Sequence, residues 1–267
     1  MIFIREYSAP ESIGEAYDLL MEKKKNVILG GGAFIRMSSK NIPNIIDLSK
    51  AKLDYITEEE SVFNIGAMTT FGDIEHSKVL GTYFNNVLEK SIREIVGIQL
   101  RNIVTVGGTV YSRYGFSDLI TGLLALDTKV NLYSQGSLSL EEFLKEGSKE
   151  KDILESITIK KDGRKANFLS MRNSTGDYAI LNVAVSVLEG KHKIAVGARP
   201  GRGILATNAM KFLDENGITE KNAEEAGKMV SNELTFGTNS RGSMEYRKHV
   251  SSVLVKKALL EVESYED

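Results

Sequence analysis

Apolar positions along this chain fall into two rhythms, one helical and one extended. Ile13, Ala16, Tyr17 and Leu20 recur at i, i+3, i+4 and i+7, which places one apolar stripe on a helix. Ser12 and Glu15 have capping-box spacing at its start. Lys23 to Lys25 follow as charges suited to a helix C-terminus. Residues 27–29 and 44–48 read as buried strands, so the chain up to about residue 55 forms a small β–α–β lobe. Beyond it the texture shortens. Residues 62–65, 129–133 and 153–159 read as strands. Residues 83–95 and 118–126 read as helices. Thr70 with Asp73 and Ser139 with Glu142 have the spacing that opens two further helices.

A polar, turn-prone run at 160–165 marks a boundary. It separates a domain at 1–162, with lobes 1–55 and 56–162, from a domain at 163–267. In the second domain, residues 168–171, 178–188 and 191–196 predict three antiparallel strands, and Glu189-Gly190 is a hairpin turn between the last two. Residues 206–216 predict a helix stopped by Gly217, and 220–231 a polar one. A last helix begins near Ser243 and buries Tyr246, Val250, Val253 and Leu254. The expected class is α+β.

Two glycine stretches interrupt this pattern. In Gln99-Leu-Arg-Asn-Ile-Val-Thr-Val-Gly-Gly-Thr-Val110, a β-branched run predicts a strand that drives into Gly107 and Gly108. Adjacent glycines can take positive φ and present bare N–H groups, a surface that suits a phosphate. A tight turn after a buried strand has the same signature. Val27-Ile-Leu-Gly-Gly-Gly-Ala-Phe34 repeats the shape. Together the loops could clasp the two phosphates of a dinucleotide from two sides. Neither matches G-x-G-x-x-G or G-x-x-x-x-G-K-[ST], so no Rossmann or P-loop phosphate site is indicated.

Composition removes several function classes. A net charge of −2 leaves no basic excess to neutralise a nucleic-acid backbone. The chain has no cysteine, which excludes disulfides, a thiolate nucleophile and cysteine-ligated zinc or iron–sulfur centres. His76 lies near Asp73, but His192 and His249 are distant, so no metal-ligand spacing appears. No G-x-S-x-G nucleophile elbow occurs. Glu58-Glu-Glu60 reads as a solvated turn. The first six residues are too short and charged for a signal peptide, and no apolar run reaches the roughly 18–20 residues of a membrane span. A cytoplasmic protein is expected.

The glycine loops and their surroundings resemble the FAD-binding (medium) subunit of the molybdenum hydroxylases, the xanthine dehydrogenase, carbon monoxide dehydrogenase and aldehyde oxidoreductase group. That family's first loop reads roughly L-A-G-G-T-D-L, here Leu29-Gly-Gly-Gly-Ala-Phe-Ile35. Its second reads roughly Q-x-R-N-x-A-T-x-G-G-N-I, here Gln99 through Val110. An S-P-x-x-D-L element becomes Tyr114-Gly-Phe-Ser-Asp-Leu119. Smaller echoes are Ile65-Gly-Ala-Met-Thr-Thr70 and Arg241-Gly-Ser-Met-Glu-Tyr-Arg247. The similarity runs over nearly the whole chain.

The resemblance implies a two-lobed FAD-binding domain of the PCMH type, followed by a smaller α+β domain with a three-stranded antiparallel sheet. It implies non-covalent FAD. The first loop would contribute Val27, Ile28, Leu29, Gly30, Gly31, Gly32, Ala33 and Phe34, and the second Thr105, Gly107, Gly108, Thr109 and Tyr111. The N–H groups of Gly31, Gly32, Gly107 and Gly108 would receive the pyrophosphate. Ser117, Asp118 and Leu154 complete the expected set, although Ser117-Asp118 also reads as a helix cap and Leu154 as core. Tyr178 and Arg172 would lie toward the isoalloxazine. Ala33 and Phe34 stand where relatives carry polar residues, Thr109 replaces a common Asn, and a basic residue common at the position of Leu169 is missing.

By the same resemblance, substrate is oxidised at a molybdopterin centre on a large subunit. Electrons pass through [2Fe–2S] clusters on a small subunit to FAD on this chain, then to NAD, oxygen or another acceptor. A higher oligomer of that complex is compatible with this reading. A stand-alone FAD reductase or oxidase of the same fold, and a scaffold subunit that has lost FAD, remain the alternatives.

Overall fold

The computed structural model describes residues 2–95 and 97–265. In chain order the elements begin with β1 (Phe3–Ser8), α1 (Ile13–Glu22), β2 (Val27–Leu29), β3 (Asn41–Asp47), β4 (Ile56–Glu58), β5 (Val62–Gly66) and α2 (Phe71–Glu75). Then come α3 (Val87–Ile92), α4 (Ile98–Arg101), α5 (Val106–Tyr111), α6 (Asp118–Leu124), β6 (Thr128–Leu132), β7 (Gly136–Ser139), α7 (Leu140–Glu146) and β8 (Leu154–Lys160). The chain finishes with β9 (Lys165–Met171), β10 (Leu181–Leu188), β11 (Lys191–Gly197), β12 (Ile204–Leu205), α8 (Thr207–Asn216), α9 (Glu220–Glu233) and α10 (Met244–Glu263). The chain folds into two compact units, each assembled from three stretches of sequence. The first comprises Met1–Ile74, Gly97–Ser112 and Lys129–Ile159, and the second Glu75–Val96, Arg113–Thr128 and Lys160–Asp267.

In the first unit, β1 and β2 flank β3 in a three-stranded sheet, both pairings parallel. Helix α1 starts where its cap predicts, with the Ser12 hydroxyl accepting the Glu15 N–H. It buries Ala16 and Leu20 against Ile46, Leu48 and Leu53. Strand β1 is not legible as a strand, because residues 3–7 are exposed and no face alternates toward a core. A five-stranded sheet in the order β4-β5-β8-β6-β7 forms the rest of the unit's β structure. Thr70 and Asp73 form a reciprocal capping box before α2: the Asp73 N–H donates to Thr70 Oγ1 at 3.1 Å and the Thr70 N–H to Asp73 Oδ2 at 2.8 Å.

The second glycine stretch corrects the sequence reading. The β-branched run does not form a strand. It joins α4 to α5, Thr105 caps α5, and Gly107 and Gly108 lie inside the helix without positive φ. Val106 and Val110, one helical turn apart, are both fully buried. Packing has overridden the strand propensity of valine. Gly31 and Gly32 do take positive φ, at 65° and 77°.

The second unit is built on an antiparallel sheet in the order β12-β11-β10-β9, so a two-residue edge strand joins the expected three. Glu189 and Gly190 both take positive φ at the β10–β11 hairpin, the conformation a type I′ turn requires. Leu181, Val183 and Val185 on β10 and Ile194 and Val196 on β11 face a core completed by α8, α9 and α10. The last helix buries only part of the expected face. Tyr246 and Val253 are exposed, whereas Val250, Leu254 and the whole of Arg247 are buried. The expected helix at 83–95 is interrupted, since Asn85 and Asn86 are left-handed and the helix proper is α3. The polar run at 160–165 holds a buried Arg164, which pairs with Asp162 and Asp127.

Candidate FAD site

The two glycine stretches, far apart in sequence, meet in the first unit. The loop after β2 packs its backbone on the start of α5. A Cβ built on Gly30 would lie 2.9 Å from Thr105 Oγ1 and 3.7 Å from the Gly108 nitrogen. One built on Gly31 would lie 1.6 Å from the carbonyl oxygen of Ile103. Gly107 is equally confined, with Ala67 Cβ 2.6 Å from the position its own Cβ would take. Glycine is needed at 31 for both backbone angle and space, and at 107 for space alone.

Beside this junction lies a cleft of about 100 Å³ bordered by Gly30, Gly107, Gly108, Tyr111, Asp152 and Leu154. Ile28, Leu48, Met68 and Ile153 supply apolar wall. Leu154, at the first residue of β8, is buried and borders the cleft. Val27, Ile28 and Leu29 form β2, half-buried. Ala33 is buried, Phe34 precedes the 3₁₀ turn Ile35–Met37, and Thr109 is buried within α5.

Most of the N–H groups expected to face a pyrophosphate are already used. The Gly32 N–H donates to Gly30 O at 2.7 Å, the Gly107 N–H to Ala67 O at 2.8 Å and the Gly108 N–H to Thr105 Oγ1 at 3.1 Å. Of the four, Gly31 alone has no hydrogen-bond acceptor for its N–H among the described residues. The junction is still compatible with a dinucleotide phosphate, because the small Thr105 hydroxyl is the side-chain group closest to where the two backbone segments meet and the Gly31 N–H is left to donate.

Tyr111 and Asp152 close the cleft. The Asp152 N–H donates to the Tyr111 phenol oxygen at 3.2 Å. The Asp152 carboxylate is saturated by donors from Ser134, Gln135 and Ile153. The Tyr111 ring lies 6.0 Å from that of Phe143.

Ser117 and Asp118 belong to the second unit. Ser117, not Asp118, caps α6, its hydroxyl accepting the Ile120 N–H at 3.3 Å. Asp118 is buried and accepts from Arg172 Nη2 at 2.7 Å and Asn182 Nδ2 at 2.5 Å. Burial pushes its carboxyl above the usual range, against the opposing pull of Arg172. Arg172 also reaches Glu94 at 3.2 Å. Both oxygens of Asp118 thus have partners within its own unit.

A cavity of about 550 Å³ in the second unit is lined by Phe116, Tyr178, Arg202, Asn239 and Arg241. The Phe116 and Tyr178 rings meet edge-on at 5.0 Å, and the Arg241 guanidinium stands 4.9 Å over Tyr178. The sequence marked Tyr178 but not Asn239. Asn239 is set by Arg247, whose guanidinium reaches the Asn239 side chain and the carbonyls of Ile180 and Gly237. Among the described residues no cluster of metal-ligating side chains occurs, and no helix is long and apolar enough to cross a membrane.

Comparison with known proteins bears on this geometry. Residues 3–160 match the family described as the FAD binding domain in molybdopterin dehydrogenase, and residues 166–262 match the CO dehydrogenase flavoprotein C-terminal domain. The chain is 26% identical to the glyceraldehyde dehydrogenase medium chain of Sulfolobus acidocaldarius, over 96% of this chain and 97% of that one. It is 24% identical to the nicotine 6-hydroxylase medium subunit of Paenarthrobacter nicotinovorans, with 96% of each covered. Its fold matches a chain of carbon monoxide dehydrogenase from Hydrogenophaga pseudoflava with a TM-score of 0.90 at 23% identity, covering 99% of this chain and 98% of that one.

Proposed function

The chain belongs to the FAD-binding flavoprotein family of the molybdopterin dehydrogenases, and on that premise we propose that it relays electrons within a three-subunit complex. An iron–sulfur small subunit delivers the electrons, a molybdopterin large subunit oxidises the substrate, and an acceptor such as NAD or oxygen removes them. FAD, bound non-covalently, supplies the redox chemistry. The chain's own residues bind and orient it: the loop after β2 and the start of α5 hold the phosphates, with Tyr111 and Leu154 at the cleft wall. In this reading residues 1–162 are the FAD-binding domain and 163–267 the C-terminal domain. The observation that carries it is the backbone contact of Gly30 with Gly108 around Thr105 Oγ1.

The absence of cysteine supports the need for a partner, since this chain cannot ligate an iron–sulfur cluster on thiolates. Acid precipitation of the purified chain should release a yellow supernatant with a flavin spectrum. A colourless protein that also fails to take up added FAD overturns the proposal. Co-purification with subunits carrying iron–sulfur and molybdenum tests the complex. Full substrate oxidation by the isolated chain would refute it.

A further inference from the structure

We propose that the phenol O–H of Tyr111 is a side-chain hydrogen-bond donor with which this chain holds the adenosine diphosphate half of FAD. The inference rests on the reading of the first-unit cleft as the FAD site and assigns one atom within it.

Three observations carry the assignment. First, Tyr111 follows Gly107 by four residues and Gly108 by three in α5. That spacing turns all three toward one helix face, and all three border the cleft. Second, the phenol is fixed. Its oxygen accepts the Asp152 N–H at 3.2 Å, and its ring is tilted 46° against Phe143. Third, its proton is free: among the described residues nothing accepts it. The nearby Asp152 carboxylate is filled by donors from Ser134, Gln135 and Ile153.

The phenol is therefore a preorganised donor at the wall of an otherwise largely apolar cleft. A ligand with an acceptor atom there satisfies it without side-chain reordering. The neighbouring loop makes such a donor useful. Ala33 brings no polar side-chain atom, and the N–H groups of Gly32, Gly107 and Gly108 are committed within the protein. The adenosine diphosphate half offers acceptors on its ring, ribose and phosphates.

The test is Tyr111→Phe in the full chain, which deletes the hydroxyl and keeps the ring. FAD affinity is read by flavin fluorescence quenching, and ADP affinity by calorimetry on the apo-protein. Loss of one hydrogen bond to a ligand carrying charge predicts weakening of both by about tenfold. The variant also removes the acceptor of the Asp152 N–H, so a second variant separates stability from binding. Phe143→Leu loosens the same ring without removing the hydroxyl, and it should lower the apo-protein melting temperature while keeping ADP affinity. Unchanged FAD and ADP affinity in Tyr111→Phe overturns the assignment. So does an equal affinity loss in Phe143→Leu, which would trace the effect to packing. A wild-type chain that binds neither FAD nor ADP instead defeats the parent reading of the cleft.

Discussion

Gly30 and Gly108 lie backbone against backbone: a Cβ on Gly108 would stand 3.2 Å from the carbonyl oxygen of Gly30. Thr105 Oγ1 fills the remaining space and accepts the Gly108 N–H. This contact sets the loop after β2 against α5, and it separates two glycines that look alike in sequence. At Gly107 an added Cβ meets Ala67 Cβ at 2.6 Å and Ala67 O at 2.8 Å. Gly107→Ala should therefore destabilise the fold by about 2 kcal/mol through overpacking. At Gly108 the nearest atoms are Thr105 Oγ1 at 3.0 Å and Gly30 O at 3.2 Å. Gly108→Ala should cost about 1 kcal/mol or less and chiefly weaken FAD binding by pushing the loops apart. Apo-protein melts alongside FAD titrations check the division. Equal losses in both readouts for both variants would refute it.

Asp118 and Arg172 form an ion pair in which both side chains are buried. Asp118→Asn removes one charge and leaves Arg172 with Glu94, whose side chain is 45% exposed. The expected loss is about 3 kcal/mol, read as a lower urea midpoint. A change below about 0.5 kcal/mol would show that Glu94 compensates fully.

Arg247 is buried with carbonyl oxygens and an amide as partners. Arg247→Met keeps much of the volume but leaves Ile180 O, Gly237 O and Asn239 Oδ1 without that donor. At about 1–3 kcal/mol per unsatisfied buried group, the loss should reach about 3 kcal/mol. Arg247→Lys, with one nitrogen in place of three, should recover only part of it. Full recovery by Lys would mean that charge, rather than the guanidinium fork, is what matters.

Asp214 gives the second unit an acid-sensitive tie. Burial raises its carboxyl, but the stronger combined effect of the His192 N–H, His192 Nδ1 and Lys191 holds it below its ordinary value. A folded pKa below the unfolded one means that the unfolded state binds the proton more tightly. The stabilisation is therefore present above the unfolded value near 3.9 and is lost as pH falls through the depressed folded value. Urea stability measured from about pH 5 to about pH 2 should fall less steeply in Asp214→Asn than in the parent. Identical acid limbs would contradict the tie.

Elements defined by neighbours a few residues apart were legible in the sequence. The Ser12, Thr70 and Ser139 caps form over three residues, and each begins a helix in the structure. The Glu189-Gly190 turn and the Gly217 stop depend on local backbone angle alone. The resemblance carried by the glycine loops was legible too, because those motifs are contiguous. Only tertiary structure decided what depends on distant partners. Valines at 106 and 110 suit a strand as well as a helix, and burial against residues elsewhere in the chain chose the helix. Tyr246 and Val253 share a helical stripe on hydropathy, yet the surface α10 covers buries Arg247 instead, because backbone carbonyls from remote segments await its guanidinium. Asp118 finds Arg172 across 54 residues. The Gly30–Gly108 contact is of the same kind: sequence supplies two stretches without bulky side chains, and only folding closes the space between them.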